Sequence, residues 1–94
     1  EFALCCLNAT LRDWARFGRL CLDGGAREGR QIVPADWVDA SVNPEAPHLQ
    51  PGENPASHWT VGYGYQWWLP EGPQGDFLAI GVWGQYIYVD PAKW

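Results

Sequence analysis

Gly62-Tyr63-Gly64-Tyr65-Gln66-Trp67-Trp68-Leu69 and, after the turn-forming run Pro70 to Asp76, Phe77-Leu78-Ala79-Ile80-Gly81-Val82-Trp83-Gly84-Gln85-Tyr86-Ile87-Tyr88-Val89-Asp90-Pro91 carry most of the chain's aromatic and β-branched residues. In both stretches these side chains alternate with small or polar positions, the period of a pleated strand with one buried face. Three strands are predicted: 63–69, 77–82 and 85–89. Trp83-Gly84 joins the last two, and Asp90-Pro91 closes the run. Glycines inside such strands mark bulges or places where another backbone approaches closely.

Upstream the period changes. Thr10-Leu11-Arg12-Asp13 has the form of a capping box, and Leu11, Trp14, Ala15, Gly18, Cys21 and Leu22 then fall on one helical stripe. Gly24-Gly25 supplies the left-handed stop, so a helix is predicted over 11–23. Gln31-Ile32-Val33 reads as extended. Pro34 opens a second, short helix that buries Trp37, Val38 and possible neighbours Ala40 and Ser41 and ends at Asn43-Pro44. Trp14 and Trp37 are expected in the core. Residues 43–60 hold Pro44, Pro47, Pro51 and Pro55 with no period, and form a surface loop. Two helices followed by a three-strand antiparallel meander make the fold class α+β, without the βαβ alternation of a doubly wound sheet.

The 94 residues are 47% apolar and 18% charged, with 7 Trp, which fits one small folded unit and not a disordered chain. No apolar run approaches the ~18 residues of a membrane span, and the start lacks a basic signal-peptide region. Net charge is −5, and beyond Arg30 only Lys93 is basic, so no cationic track exists for nucleic acid. Cys5, Cys6 and Cys21 are read as small buried hydrophobes, because adjacent cysteines rarely bridge and no zinc-ligand spacing is present. Unpaired cysteines lean toward a reducing, cytoplasmic compartment, with a periplasmic or secreted location as the alternative. The chain has no Met and opens on an apolar stretch, and it reads as a partial segment, 1–94, of one larger domain with no internal boundary. Such a segment, cut from neighbouring strands, is expected to be unstable or aggregation-prone.

Complete catalytic machinery is missing. No Ser-x-x-Lys, Gly-x-Ser-x-Gly or Cys/His pair occurs, and Ser41 and Ser57 lack a partner base. His48 and His58 lie in the proline-rich loop without flanking ligands, so they read as solvated and no metal site is expected. Gly62-Tyr63-Gly64-Tyr65 and Gly81-Val82-Trp83-Gly84 are flanked by strands instead of opening a helix, which argues against a phosphate loop. The aromatic residues of the strands suit either core packing or an apolar substrate wall. Arg12 and Asp13 are read as structural, in a cap and ion pairs.

Four blocks in order, Leu7-Asn8-Ala9-Thr10-Leu11-Arg12-Asp13-Trp14-Ala15-Arg16-Phe17-Gly18-Arg19-Leu20, Ile32-Val33-Pro34-Ala35-Asp36-Trp37, Gly62 to Trp68 and Gly84 to Pro91, resemble the C-terminal part of serine hydrolases of the class C β-lactamase-like (penicillin-binding-protein-like) family. The resemblance is strongest to its 6-aminohexanoate-dimer hydrolase branch. It implies an all-α region beside an antiparallel sheet flanked by helices. It also implies acyl transfer to a Ser in Ser-x-x-Lys, with Lys and a Tyr moving the proton, all three upstream of this segment, and no cofactor.

By position the family's Lys-Thr-Gly strand falls on Ala79-Ile80-Gly81, where only the Gly is present, so the groups that hold a β-lactam carboxylate are missing. The resemblance implies that Val82 N–H, following Gly81, donates to the oxyanion, with Gly84 or Gln85 as donors if the register shifts. It places Trp68 against an aliphatic chain, with Trp67 or Trp83 as further wall candidates. The expected partner is a small amide or ester. The alternatives are a catalytically inactive recognition module and a Trp-rich carbohydrate-binding module.

Overall fold

The computed structural model describes residues 5–93. Helix α1 spans Leu11–Leu22. Its start is built by Thr10, whose hydroxyl accepts the Asp13 N–H at 3.2 Å and donates to the Asp13 carboxylate at 2.8 Å. Arg16 adds an ion pair at 2.7 Å. The Thr10 hydrogen bond and then the Arg16 contact hold the Asp13 carboxyl below its usual range. At the other end Gly24, at φ 64°, turns the chain out while its N–H and that of Gly25 return to the carbonyls of Cys21 and Leu20.

A hairpin follows that the sequence pattern did not indicate: β1 (Ala26–Arg27) pairs with β2 (Arg30–Gln31). Two-residue strands are too short to show a period. The turn itself, Glu28-Gly29, has both residues at positive φ, as a tight two-residue connection requires. Helix α2 covers Ala35–Val42, with Pro34 as its cap just outside the first turn. Ser41 is buried and donates to the Trp37 carbonyl at 2.6 Å. Trp37, expected in the core, is instead exposed and stacks on Tyr65, ring centroids 5.0 Å apart.

The main sheet has four antiparallel strands in sequence order: β3 (Gly62–Tyr63), β4 (Trp68–Leu69), β5 (Phe77–Ile80) and β6 (Tyr86–Val89). The single strand predicted over 63–69 is two strands of one hairpin, with Gly62 opposite Leu69 and Tyr63 opposite Trp68. Gln66 at φ 66° and a Gly64 N–H to Trp67 carbonyl bond of 2.8 Å reverse the chain between them. Alternation survives such a reversal, because the side chains of both arms obey the same period. Gly62 and Gly64 do mark close backbone approaches: a Cβ would strike the Leu49 carbonyl at the first and the Ser41 carbonyl at the second.

One face of the sheet packs on α1. Trp67, Leu69, Phe77 and Val89 are buried, with Cys21, Leu22, Val42, Ala79 and Ile87 around them. Gly18 lets the helix approach, since a Cβ there would sit 3.3 Å from Ile87 Cγ2. Only the second half of α1 reaches this core, which is why Leu11 and Ala15, on the predicted stripe, are exposed and Trp14 is half-buried. Cys5 and Cys6 precede the helix, outside the core. They are exposed and joined to each other as a vicinal disulfide, contrary to their reading as buried thiols. Cys21 is half-buried, and loss of water raises its thiol pKa.

Candidate functional site

The connection from β5 to β6 is a three-residue loop between Gly81 and Gln85, which continue the register of Ile80 with Tyr86. Gly81 donates to the Gln85 carbonyl at 2.7 Å, and Gly84 donates back to the Gly81 carbonyl at 3.1 Å. Gly84 takes φ 80°, the left-handed residue that such a loop needs. The Gln85 side chain folds over Gly81 and accepts the Trp83 N–H at 2.9 Å. A Cβ on Gly81 would collide with that side chain. The spacing Gly81, Gly84, Gln85 is thus the chemistry of one rigid turn.

The turn commits its N–H groups unequally. Those of Gly81, Trp83 and Gly84 are spent inside it. Among the described residues Val82 N–H has no partner, and Val82 and Trp83 stand 87% and 89% exposed. Gly84, a candidate donor if the register shifts, is therefore occupied. Gln85 N–H, the other candidate donor if the register shifts, likewise makes no hydrogen bond among the described residues.

The wall candidates separate. Trp67 is 8% exposed, stacked with Phe17 at 6.2 Å and edge-on to Phe77 at 4.9 Å, so it fills the core against α1. Trp68 lies on the opposite face in a cross-strand row with Tyr63, Leu78 and Tyr88. Tyr63 is 4.7 Å from it and Trp59, from the proline-rich loop, is 6.0 Å. Trp59 was not singled out from the sequence; nothing in an aperiodic loop signals that its ring will meet the sheet. Tyr88 donates to Asp76 at 2.7 Å, and the neighbouring carboxylate pushes the phenol up to about 12. Trp83 touches no other described ring. The sheet thus offers two different surfaces: a packed one toward α1 and an open aromatic one that ends at the Val82 turn.

No described helix is long and apolar enough to cross a membrane, and no three described His, Cys, Asp or Glu residues cluster as metal ligands. His48 and His58 are exposed in the loop.

No protein-family model matches the chain. It is 34% identical over 86 residues to the 6-aminohexanoate-dimer hydrolase of Paenarthrobacter ureafaciens, a match spanning 90% of this chain and 22% of that protein. Its fold is that of part of the solved "Putative 6-aminohexanoate-dimer hydrolase from Bacillus anthracis", with TM-score 0.71 and 39% identity over 89% of this chain and 21% of that one. The chain therefore spans about a fifth of the length of these relatives. Agreement in sequence and in fold over nine-tenths of its residues makes this chain a segment of a protein of the 6-aminohexanoate-dimer hydrolase-like family.

Proposed function

We propose that this segment supplies an oxyanion donor and one wall of the substrate site in a serine hydrolase of amide or ester bonds, linear 6-aminohexanoate-type amides included. The nucleophilic Ser-x-x-Lys and the Tyr lie on the remainder of the same domain in this reading. The observation that carries it is the exposed Val82 N–H of the β5–β6 turn, which no group within the turn accepts. The Gly81 carbonyl is held inside the turn by Gly84 N–H, and the N–H of a trans peptide points opposite to its carbonyl; Val82 N–H, on the same peptide as the Gly81 carbonyl, therefore turns outward, away from β6. There β4 is only two residues long, and its pairing with β5 is at Trp68 opposite Leu78. The end of β5 consequently has an open edge, with an unspent donor where a substrate carbonyl can lie.

Chemically, attack on the carbonyl develops negative charge on its oxygen, and a donor already fixed in place stabilises that charge with no reorganisation. The hydrogen bonds of Gly81, Trp83, Gly84 and Gln85 provide the fixing. Because the donor is backbone, the loss of the family's Lys and Thr side chains leaves it intact. Trp68, Tyr63 and the adjoining sheet face offer apolar contact to the aliphatic part of the substrate.

The test is expression of the full-length protein carrying this segment beside a variant with its Ser-x-x-Lys serine changed to Ala. Hydrolysis of p-nitrophenyl acetate and of a linear 6-aminohexanoate amide is followed. Activity lost with the serine is the expected result; absence of the motif, or serine-independent activity, would reject the reading.

A further inference from the structure

The loop that carries Trp59 is built, not loose. Residues Pro47–Leu49 form a 3₁₀ turn, and Gly52 N–H reaches the Thr60 carbonyl at 2.7 Å. Asn54 donates to the His48 carbonyl at 3.1 Å and accepts from Ala56 N–H at 2.9 Å. Trp59 N–H itself is held by the Ser57 hydroxyl at 3.0 Å. The loop closes on the sheet through Gly62, where any side chain would run into the backbone of Leu49 and Pro51. A surface segment held this firmly holds whatever it displays.

What it displays is an indole. Trp59 stands 6.0 Å from Trp68, which is half-buried and in turn 4.7 Å from Tyr63. A tryptophan recruited to complete a core would be covered; Trp59 is 62% exposed. The three rings are thus in series, Tyr63 against Trp68 and Trp68 against Trp59, with the most exposed of them last. Such a surface suits uncharged methylene chains.

We infer that Trp59 is a specificity-determining residue of the hydrolase site: it extends the wall begun by Trp68 and contacts the distal methylenes of an unbranched acyl or amine chain. This rests on the hydrolase reading above. It assigns to the proline-rich loop the setting of chain-length preference, while the β5–β6 turn acts on the carbonyl. A short acyl group would end before reaching Trp59, so the residue's contribution grows with chain length.

The experiment compares p-nitrophenyl acetate with p-nitrophenyl hexanoate, four methylenes longer, in the full-length protein and its Trp59→Ala and Trp59→Phe variants. Trp59→Ala is expected to lower the hexanoate-to-acetate ratio of kcat/KM about tenfold, chiefly through KM for hexanoate. Trp59→Phe is expected to keep the ratio within about twofold of the unaltered protein, and also guards against a fold that fails without a ring. An unchanged ratio in Trp59→Ala, whatever the absolute activity, would overturn the inference and leave the ring a structural cover for Trp68. If the unaltered protein hydrolyses neither ester through its serine, the underlying hydrolase reading fails, and this inference with it.

Discussion

Gly81 and Gln85 show how a single missing Cβ can organise a turn. The Gln85 side chain occupies the space that any larger residue at 81 would need, and from there it holds Trp83 N–H. Gly81→Ala is expected to displace that side chain and to cost about 1–3 kcal/mol of stability. Adding Gln85→Ala should recover part of the loss, since the two changes share one clash; denaturant midpoints of the two single variants and the double variant measure the coupling. Tyr88 is the second residue with a legible consequence. Its pKa is raised to about 12 from 10.0, chiefly by the hydrogen bond to Asp76. The folded state therefore retains the phenolic proton more tightly than the unfolded chain. That stabilisation is complete below about pH 10 and is lost as pH rises through 12. Melting temperatures across pH 9–12 should fall more steeply for the unaltered chain than for Tyr88→Phe, and parallel curves would contradict the assignment.

Among the elements, α1 and the core strands bear the stability, and both allow a quantitative expectation. Thr10→Ala removes the hydroxyl that caps α1 and is expected to cost about 1 kcal/mol. Phe77, 4% exposed beneath Trp67, should cost about 3–5 kcal/mol as Phe77→Ala, enough to unfold a small core; thermal unfolding of each variant is the check. These elements were also the most readable in the sequence. Thr10, Asp13 and Gly24 bracket α1 by local chemistry alone, and its observed end at Leu22 differs by one residue from the expected one. β5 and β6 were legible because each is long enough to alternate. The strand over 63–69 was misread because alternation has no direction: only Gln66, at φ 66°, marks the reversal, and glutamine gives no warning of it. Trp37 was misplaced for a different reason. Its helical position is apolar, but the neighbour is Tyr65 on the protein surface, a tertiary fact that no local pattern carries. The turn at Gly81 to Gln85 was visible as glycines; that Gly84 N–H is spent and Val82 N–H is not could be learned only from the hydrogen bonds.

Across the whole molecule, apolar area is left open on several sides. Leu11, Trp59, Val82 and Trp83 are more than half exposed, and among the described residues no large side chain is fully buried. An open groove of about 500 Å³ runs between α1 and β6, lined by Leu11, Trp14, Gly18, Leu22, Ile87 and Val89 among others. Exposed apolar surface of this kind drives association, and a net charge of −5 opposes it only weakly at physiological salt. The 94-residue chain on its own is therefore expected to self-associate at micromolar concentration. Sedimentation velocity over a tenfold concentration range measures this, and a single monomer peak throughout would contradict it.

The central claim, a backbone donor at Val82, is open to one direct measurement. Val82 is the first central residue of its turn, a position that accepts proline readily, so Val82→Pro deletes the N–H while suiting the local geometry. Val82→Ala keeps the N–H and removes the side chain. In steady-state kinetics of the full-length protein, Val82→Pro is predicted to lower kcat about 10²–10³-fold, with Val82→Ala within a few-fold of the unaltered protein. A Val82→Pro protein that folds and turns over within a few-fold of the unaltered protein would contradict the account.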